Sequence, residues 1–146
     1  MIKLTKDQIK EIAEELDCGM KCYINKETGI IKSVPDFDSW QTGDTELWED
    51  ILNELDENWG NYLEIERMES HESFDIMVEF AEDVDSRELH DTLINVLNMK
   101  HPFSNFKWVI DNSGPYRQKW FDFKTQSLKD WVIAQLDSSD ISHDDE

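Results

Sequence analysis

Positive charge is scarce in this chain: fourteen of its 146 residues are lysine or arginine, against thirty-four aspartates and glutamates, for a formal net charge of −20. Such an excess repels phosphate backbones and lacks the basic surplus that releases counterions on binding, so nucleic acid is disfavoured as a partner. Cysteine is equally sparse. Cys18 and Cys22 are too few for a disulfide scaffold. No apolar run approaches the length of a membrane span. The opening stretch MIKLTKDQIKEIAEELD has neither the apolar run nor the small-residue cleavage pattern of a signal peptide, so a cytoplasmic protein is expected. With three prolines and five glycines, no low-complexity linker divides the chain, and no internal repeat is visible.

What is present argues for a folded domain. Apolar residues make up 38% of the chain and aromatics 11%, with six tryptophans and seven phenylalanines. Each buried ring removes roughly 150–250 Å² from water, which compensates for few aliphatics. A chain of this length buries roughly 70% of its unfolded surface. The expectation is one α+β domain over residues 1–136, with an aromatic core concentrated in the C-terminal third, and an acidic disordered tail over 137–146.

Local patterns order the elements. Thr5 with Gln8 has the form of a capping box, and Ile9, Ile12, Ala13 and Leu16 recur at helical spacing until Gly19. KCYIN and IIKSV flank the turn-like KETG, predicting a hairpin of Lys21–Asn25 with Ile30–Val34. The turn-rich PDFDSWQTGD precedes a second helix carrying Leu47, Trp48, Ile51, Leu52 and Leu55. Leu63 and Ile65 alternate with Glu64 and Glu66, predicting a third strand with one wet face. From Ser73 onward the periodicity is helical. One stripe runs through Phe74, Met77, Val78, Ala81 and Val84; the next, through Leu89, Leu93, Val96 and Leu97, is opened by Asp85 with Glu88. Pro102 suits a first helical position, and Gly114 and Pro115 open a last helical region that shifts phase near Ser127 and Asp130, where a break is expected. A small three-stranded antiparallel sheet packed with about six helices is the economical assembly.

The segments YINKETGII, SFDIMVEFAEDV, LINVLNMKHPFSNFK and KWFDFKTQSLKDWV resemble the patterns of the bacterial uncharacterised protein family 0158. In that family a strand leads into an acid-x-Thr-Gly turn, and an aromatic-x-x-Met-x-x-Phe helix precedes a Phe-x-x-Phe-Lys element and a closing Trp-aromatic-x-Phe helix. The resemblance implies one domain and a bacterial cytoplasmic setting, and carries no activity.

The basic residues are not spread evenly. Residues 100–129 hold six of the fourteen (Lys100, Lys107, Arg117, Lys119, Lys124, Lys129) with two acids, Asp111 and Asp122, and seven of the sixteen aromatics. With Phe103 at zero on a helical wheel, Phe106, Lys107 and Ile110 fall within about 60° while Trp108 lies about 140° away. Trp108 beside Lys107 therefore reads as an amphipathic binding anchor, or as a second packing contact. Arg117 and Lys124 are seven residues apart, with Trp120 and Phe121 between them. Two cations framing two rings suit an anionic ligand; alternatively, their stems cover aromatic surface while their heads pair with the protein's own acids.

Catalytic signals are thin. There is no Gly-x-Ser-x-Gly elbow and no phosphate loop, and neither cysteine has a basic, helix-opening context. Cys18 and Cys22 would need two further ligands for structural zinc, and His71, His90, His101 and His143 show no ligand spacing. Glu79, Glu82 and Asp83 lie near His71 in sequence, but with thirty-four acids such proximity is expected by chance. No metal or cofactor is expected. The leading expectation is a non-catalytic interaction module that docks a basic or amphipathic protein surface. Its candidate binding residues are Lys107, Trp108, Arg117, Trp120 and Lys124; the alternative is a small ligand-binding protein or enzyme with an anion site near Arg117 and Lys124.

Overall fold

A computed structural model describes residues 3–35, 48–139 and 141–143. Most of the turn-rich PDFDSWQTGD segment, together with Leu47, lies outside the described residues. The fold is α+β, and the described residues form six α-helices and a three-stranded antiparallel sheet. They divide into two compact units, one of residues 1–67 with 128–146 and the other of residues 68–127.

The first unit begins with a short strand β1 (Lys3–Leu4) and helix α1 (Lys6–Asp17). The capping box is present: the Thr5 hydroxyl accepts from the Gln8 amide at 3.1 Å, and the Gln8 side chain accepts from the Thr5 amide at 2.9 Å. The first-turn amides thus find partners where helical bonding cannot supply them. Strands β2 (Met20–Asn25) and β3 (Ile31–Pro35) form the hairpin, whose turn uses Gly29 at φ 76°. Strand β4 (Tyr62–Ile65) pairs antiparallel with β2, placing Cys22 opposite Ile65 and Tyr23 opposite Glu64, in the order β3-β2-β4.

Strand alternation sends Cys22, Ile24 and Ile65 to an aliphatic core with Ile12, Leu16 and Val132. The other face carries Tyr23, Val34 and Tyr62, packed with Leu55 of α2 (Glu49–Glu57). The expectation of a wet face on the third strand is corrected. Tyr62 is buried there, and half-buried Glu64 accepts from the Tyr23 hydroxyl at 2.9 Å, so a polar-looking face is closed by aromatic packing.

The second unit comprises α3 (Ser70–Asp83), α4 (Arg87–Leu97), α5 (Pro102–Asp111) and the first half of α6 (Tyr116–Ser138). Pro102 does occupy the first turn of α5, after His101 at φ 55°. Here the core is aromatic. Trp120 meets Phe106 edge-on at 4.8 Å between ring centroids and Phe80 at 5.3 Å, and Phe80 lies 5.6 Å from Phe123. The aromatic core expected in the C-terminal third thus lies in this unit, while the sheet of the first packs on an aliphatic core on one face and carries Tyr23 and Tyr62 on the other.

Three local expectations change. The cap of α4 is Ser86, whose hydroxyl accepts from the Leu89 amide at 3.2 Å; the cap expected at Asp85 is not formed, and that carboxylate turns to Tyr116. Helix α6 continues through Ser127 and Asp130 without the expected break. The phase shift is real but has another cause: Trp120 and Phe123 serve one unit's core, whereas Leu128, Val132 and Leu136 are buried along the part of the helix that belongs to the other.

The third change concerns the tail. Residues 137–146 were expected to be disordered, yet α6 extends to Ser138, Ile141 is buried, and strand β5 (Ser142–His143) pairs in parallel with β1. His143 Nε2 lies 2.8 Å from Asp137 Oδ1. One buried aliphatic side chain of this kind contributes about 1.5–3 kcal/mol, enough to hold a short polar segment that its composition alone would leave loose. Residues 140 and 144–146 lie outside the described set.

Candidate functional site

All five residues singled out from the sequence lie in the second unit, and the structure divides them. Trp108 is 69% exposed on the side of α5 turned away from buried Phe106 and Ile110. This is where the helical wheel places it. Trp120 is only 9% exposed and belongs to the core, so it is not part of a surface patch. On the wheel it falls about 60° to one side of Arg117, with Phe121 about 40° to the other, and the inward flank is the one that meets Phe106 and Phe80.

Arg117 and Lys124 do frame a ring, that of half-buried Phe121, at 4.7 Å and 5.2 Å from its centroid. Asp111 takes Arg117 Nε at 3.3 Å and also Lys107 Nζ at 3.3 Å. The basic window therefore spends two of its cations on one of its own carboxylates. Exposed pairs of this kind contribute about 0–1 kcal/mol, so they set side-chain direction more than stability.

The cysteines are separated by environment. Cys18 caps the C-terminal end of α1 and is exposed, whereas Cys22 is fully buried. Burial pushes the Cys22 thiol up to about 11, against the opposing effect of its contact with the Ser33 hydroxyl at 3.5 Å. Neither a shared metal nor a ready thiolate suits that arrangement. Among the described residues one trio of potential ligands converges: Glu69, His71 and Glu72. The side chains of Glu69 and Glu72 already form the capping box of α3, which accounts for their proximity.

Concave features of this unit lie elsewhere among the described residues, and pattern reading missed them. A hollow of about 240 Å³ has Phe80, Val84 and Phe123 as its apolar lining, Asp83 and Asp85 on one side, and Tyr116 and Lys119 of α6 on the other. A second hollow, of about 340 Å³, shares Val84 and Asp85 and adds Arg87, His90 and Asp91. The Tyr116 hydroxyl donates to Asp85, and the Lys119 ammonium sits 4.9 Å from the centre of the Tyr116 ring. That hydrogen bond, reinforced by the charge of Lys119, holds the Asp85 carboxyl below the ordinary carboxylate range. The same bond raises Tyr116 above the ordinary phenol value. Both shifts move the groups away from neutrality, so at physiological pH the hollow presents a fixed carboxylate and a neutral phenol. A general acid or base works best near its operating pH, and neither group is poised there.

The residues that line the first hollow come from positions 80–85 and 116–123, and only the packing of α3 against α6 within this unit assembles them. A weak sequence signal existed. Asp85 was read as a helix cap, and a carboxylate at a helix junction that does not cap is free to face a neighbouring element.

No described helix is long and apolar enough to cross a membrane. No solved structure matches the chain. A Pseudomonas aeruginosa protein named UPF0158 protein PA5073 is 26% identical over 134 residues, covering 91% of this chain and 82% of that protein's length. The model of an uncharacterised protein family, UPF0158, matches residues 1–145, which takes in both compact units. The strand, turn and helix motifs that suggested kinship all lie within that match, and the chain belongs to the UPF0158 family.

Proposed function

We propose that this protein is a non-catalytic interaction module of the bacterial cytoplasm that docks a basic or amphipathic protein partner. The observation that carries the reading is Trp108, 69% exposed on α5 beside exposed Lys107. A large ring left in water forgoes about 25 cal/mol for each Å² it could bury, and partner surfaces are where such rings find burial. The excess of carboxylates supports a basic surface on the other side. The resolved shifts of Cys22, Tyr62, Asp85 and Tyr116 all move these groups away from neutral pH, which suits a binding role better than proton or thiol chemistry. The anion-site reading around Arg117 and Lys124 has less support, because Asp111 already takes Arg117.

The test is affinity purification of the tagged full-length protein from its native bacterium at moderate salt, beside a Trp108→Ala variant of unchanged far-UV circular dichroism. A stoichiometric protein retained by the natural sequence and lost from the variant supports the module and its anchor. An identical retained set from both removes Trp108 as the anchor, and a natural sequence that retains no stoichiometric protein overturns the module.

A further inference from the structure

We infer that the hollow between Asp85 and Lys119 is a docking slot for one arginine or lysine side chain of a basic, amphipathic partner segment. The alkyl stem lies along Phe80, Val84 and Phe123, and the cationic head meets Asp83 and Asp85. This inference rests on the interaction-module reading and supplies the partner chemistry that reading leaves open.

Size comes first. Pockets for drug-sized molecules run to about 300–1,000 Å³. A hollow of about 240 Å³ is small for such a ligand and suits a single long side chain. Its lining is amphipathic in the same sense as an arginine or lysine, with apolar Phe80, Val84 and Phe123 alongside the carboxyl groups of Asp83 and Asp85, so the methylene stem and the charged head each find a matching surface.

Charge decides the sign of the occupant. Residues 68–99, which supply α3, α4 and the Asp85 junction, contain nine acids and a single base, Arg87. An anion at the hollow would face that whole stretch with Lys119 as its nearest attraction, and a second copy of this acidic chain would bring further repulsion. A cation meets attraction from Asp83 and Asp85, and repulsion from Arg87 of the adjoining hollow and from the Lys119 ammonium. That ammonium is set over the Tyr116 ring, and it fixes the polarity of the slot, with the partner's cation directed to the Asp83 side.

Orientation is supplied in advance. The Tyr116 hydroxyl holds one oxygen of Asp85 and thereby restricts rotation of the carboxylate before a partner arrives. Pre-orientation of this kind reduces the ordering cost of binding.

The probe is an acetylated, amidated Leu-Arg-Leu-Arg-Leu peptide titrated into isotope-labelled full-length protein by NMR. Expected are saturable shifts at Val84, Asp85, Tyr116 and Phe123. The double change Asp83→Asn, Asp85→Asn weakens the peptide by about tenfold or more, as loss of a charge-assisted contact requires. The matched double change Asp75→Asn, Glu79→Gln, which removes equal charge at exposed α3 positions outside the lining, weakens it by less than about twofold, the share due to long-range attraction. Replacing both arginines of the peptide with citrulline abolishes the shifts. Equal weakening by the two double variants, or shifts spread over the acidic surface without saturation, overturns the slot.

The same variants in the co-purification separate the two proposals. Loss of partner with Trp108→Ala but not with Asp83→Asn, Asp85→Asn keeps the module and removes the slot. The reverse pattern keeps the slot and removes the Trp108 anchor.

Discussion

Trp120→Ala tests the assignment on which sequence and structure part most sharply. If the ring belongs to an exposed binding patch, its removal changes stability by no more than about 0.5 kcal/mol. In the structure it is 9% exposed, edge-on to Phe106 at 4.8 Å and to Phe80 at 5.3 Å, within a cluster that also holds Met77, Leu93 and Ile110. Truncating a buried tryptophan costs about 3–5 kcal/mol through lost transfer energy and the cavity left behind. Edge-to-face partners add about 0.5–1.5 kcal/mol each beyond area burial, which places this site in the upper part of that range. A domain of ordinary stability, about 5–15 kcal/mol in total, would lose roughly a quarter or more of it. Urea unfolding followed by far-UV circular dichroism reads the change. With a slope of about 1–3 kcal/mol per molar urea, the midpoint falls by about 1 M or more. Trp108→Ala is the internal control, since its 69% exposure predicts an unchanged midpoint. Equal shifts for the two variants, or a Trp120→Ala midpoint indistinguishable from that of the natural sequence, would refute the packing argument.

Three further outcomes follow from the geometry. At pH 8 under native conditions iodoacetamide modifies exposed Cys18, while buried Cys22 reacts only on unfolding, as mass spectrometry of peptides will report. Because the folded thiol of Cys22 is raised, its stabilising contribution is complete below its ordinary value of 9.0 and is lost as pH rises toward about 11; a Cys22→Ala variant should lose less stability across that window. Ile141→Ala lowers stability by about 2–5 kcal/mol, as for other buried aliphatics, whereas a disordered tail predicts no change in the urea midpoint.

What could be read without the structure was local. The capping box of α1 joins residues three apart, the hairpin turn needs a glycine at positive φ, and the exposure of Trp108 follows from its angle on one helix; each is decided within a few residues. Family resemblance was visible for the same reason, since its motifs are short runs of packing residues. What required tertiary structure was every feature whose partners lie far apart in the chain. The side that Trp120 presents is settled by where Phe80 and Phe106 stand, because two neighbouring faces of one helix have equal apolar credentials until another element covers one of them. Parallel pairing of Lys3–Leu4 with Ser142–His143 orders a tail whose acidic composition gave no such sign. The hollow depends on Asp85 and Tyr116, thirty-one residues apart, meeting across a junction. Periodicity identifies which residues turn inward on each element, but two elements create a concave surface only when packing brings them together.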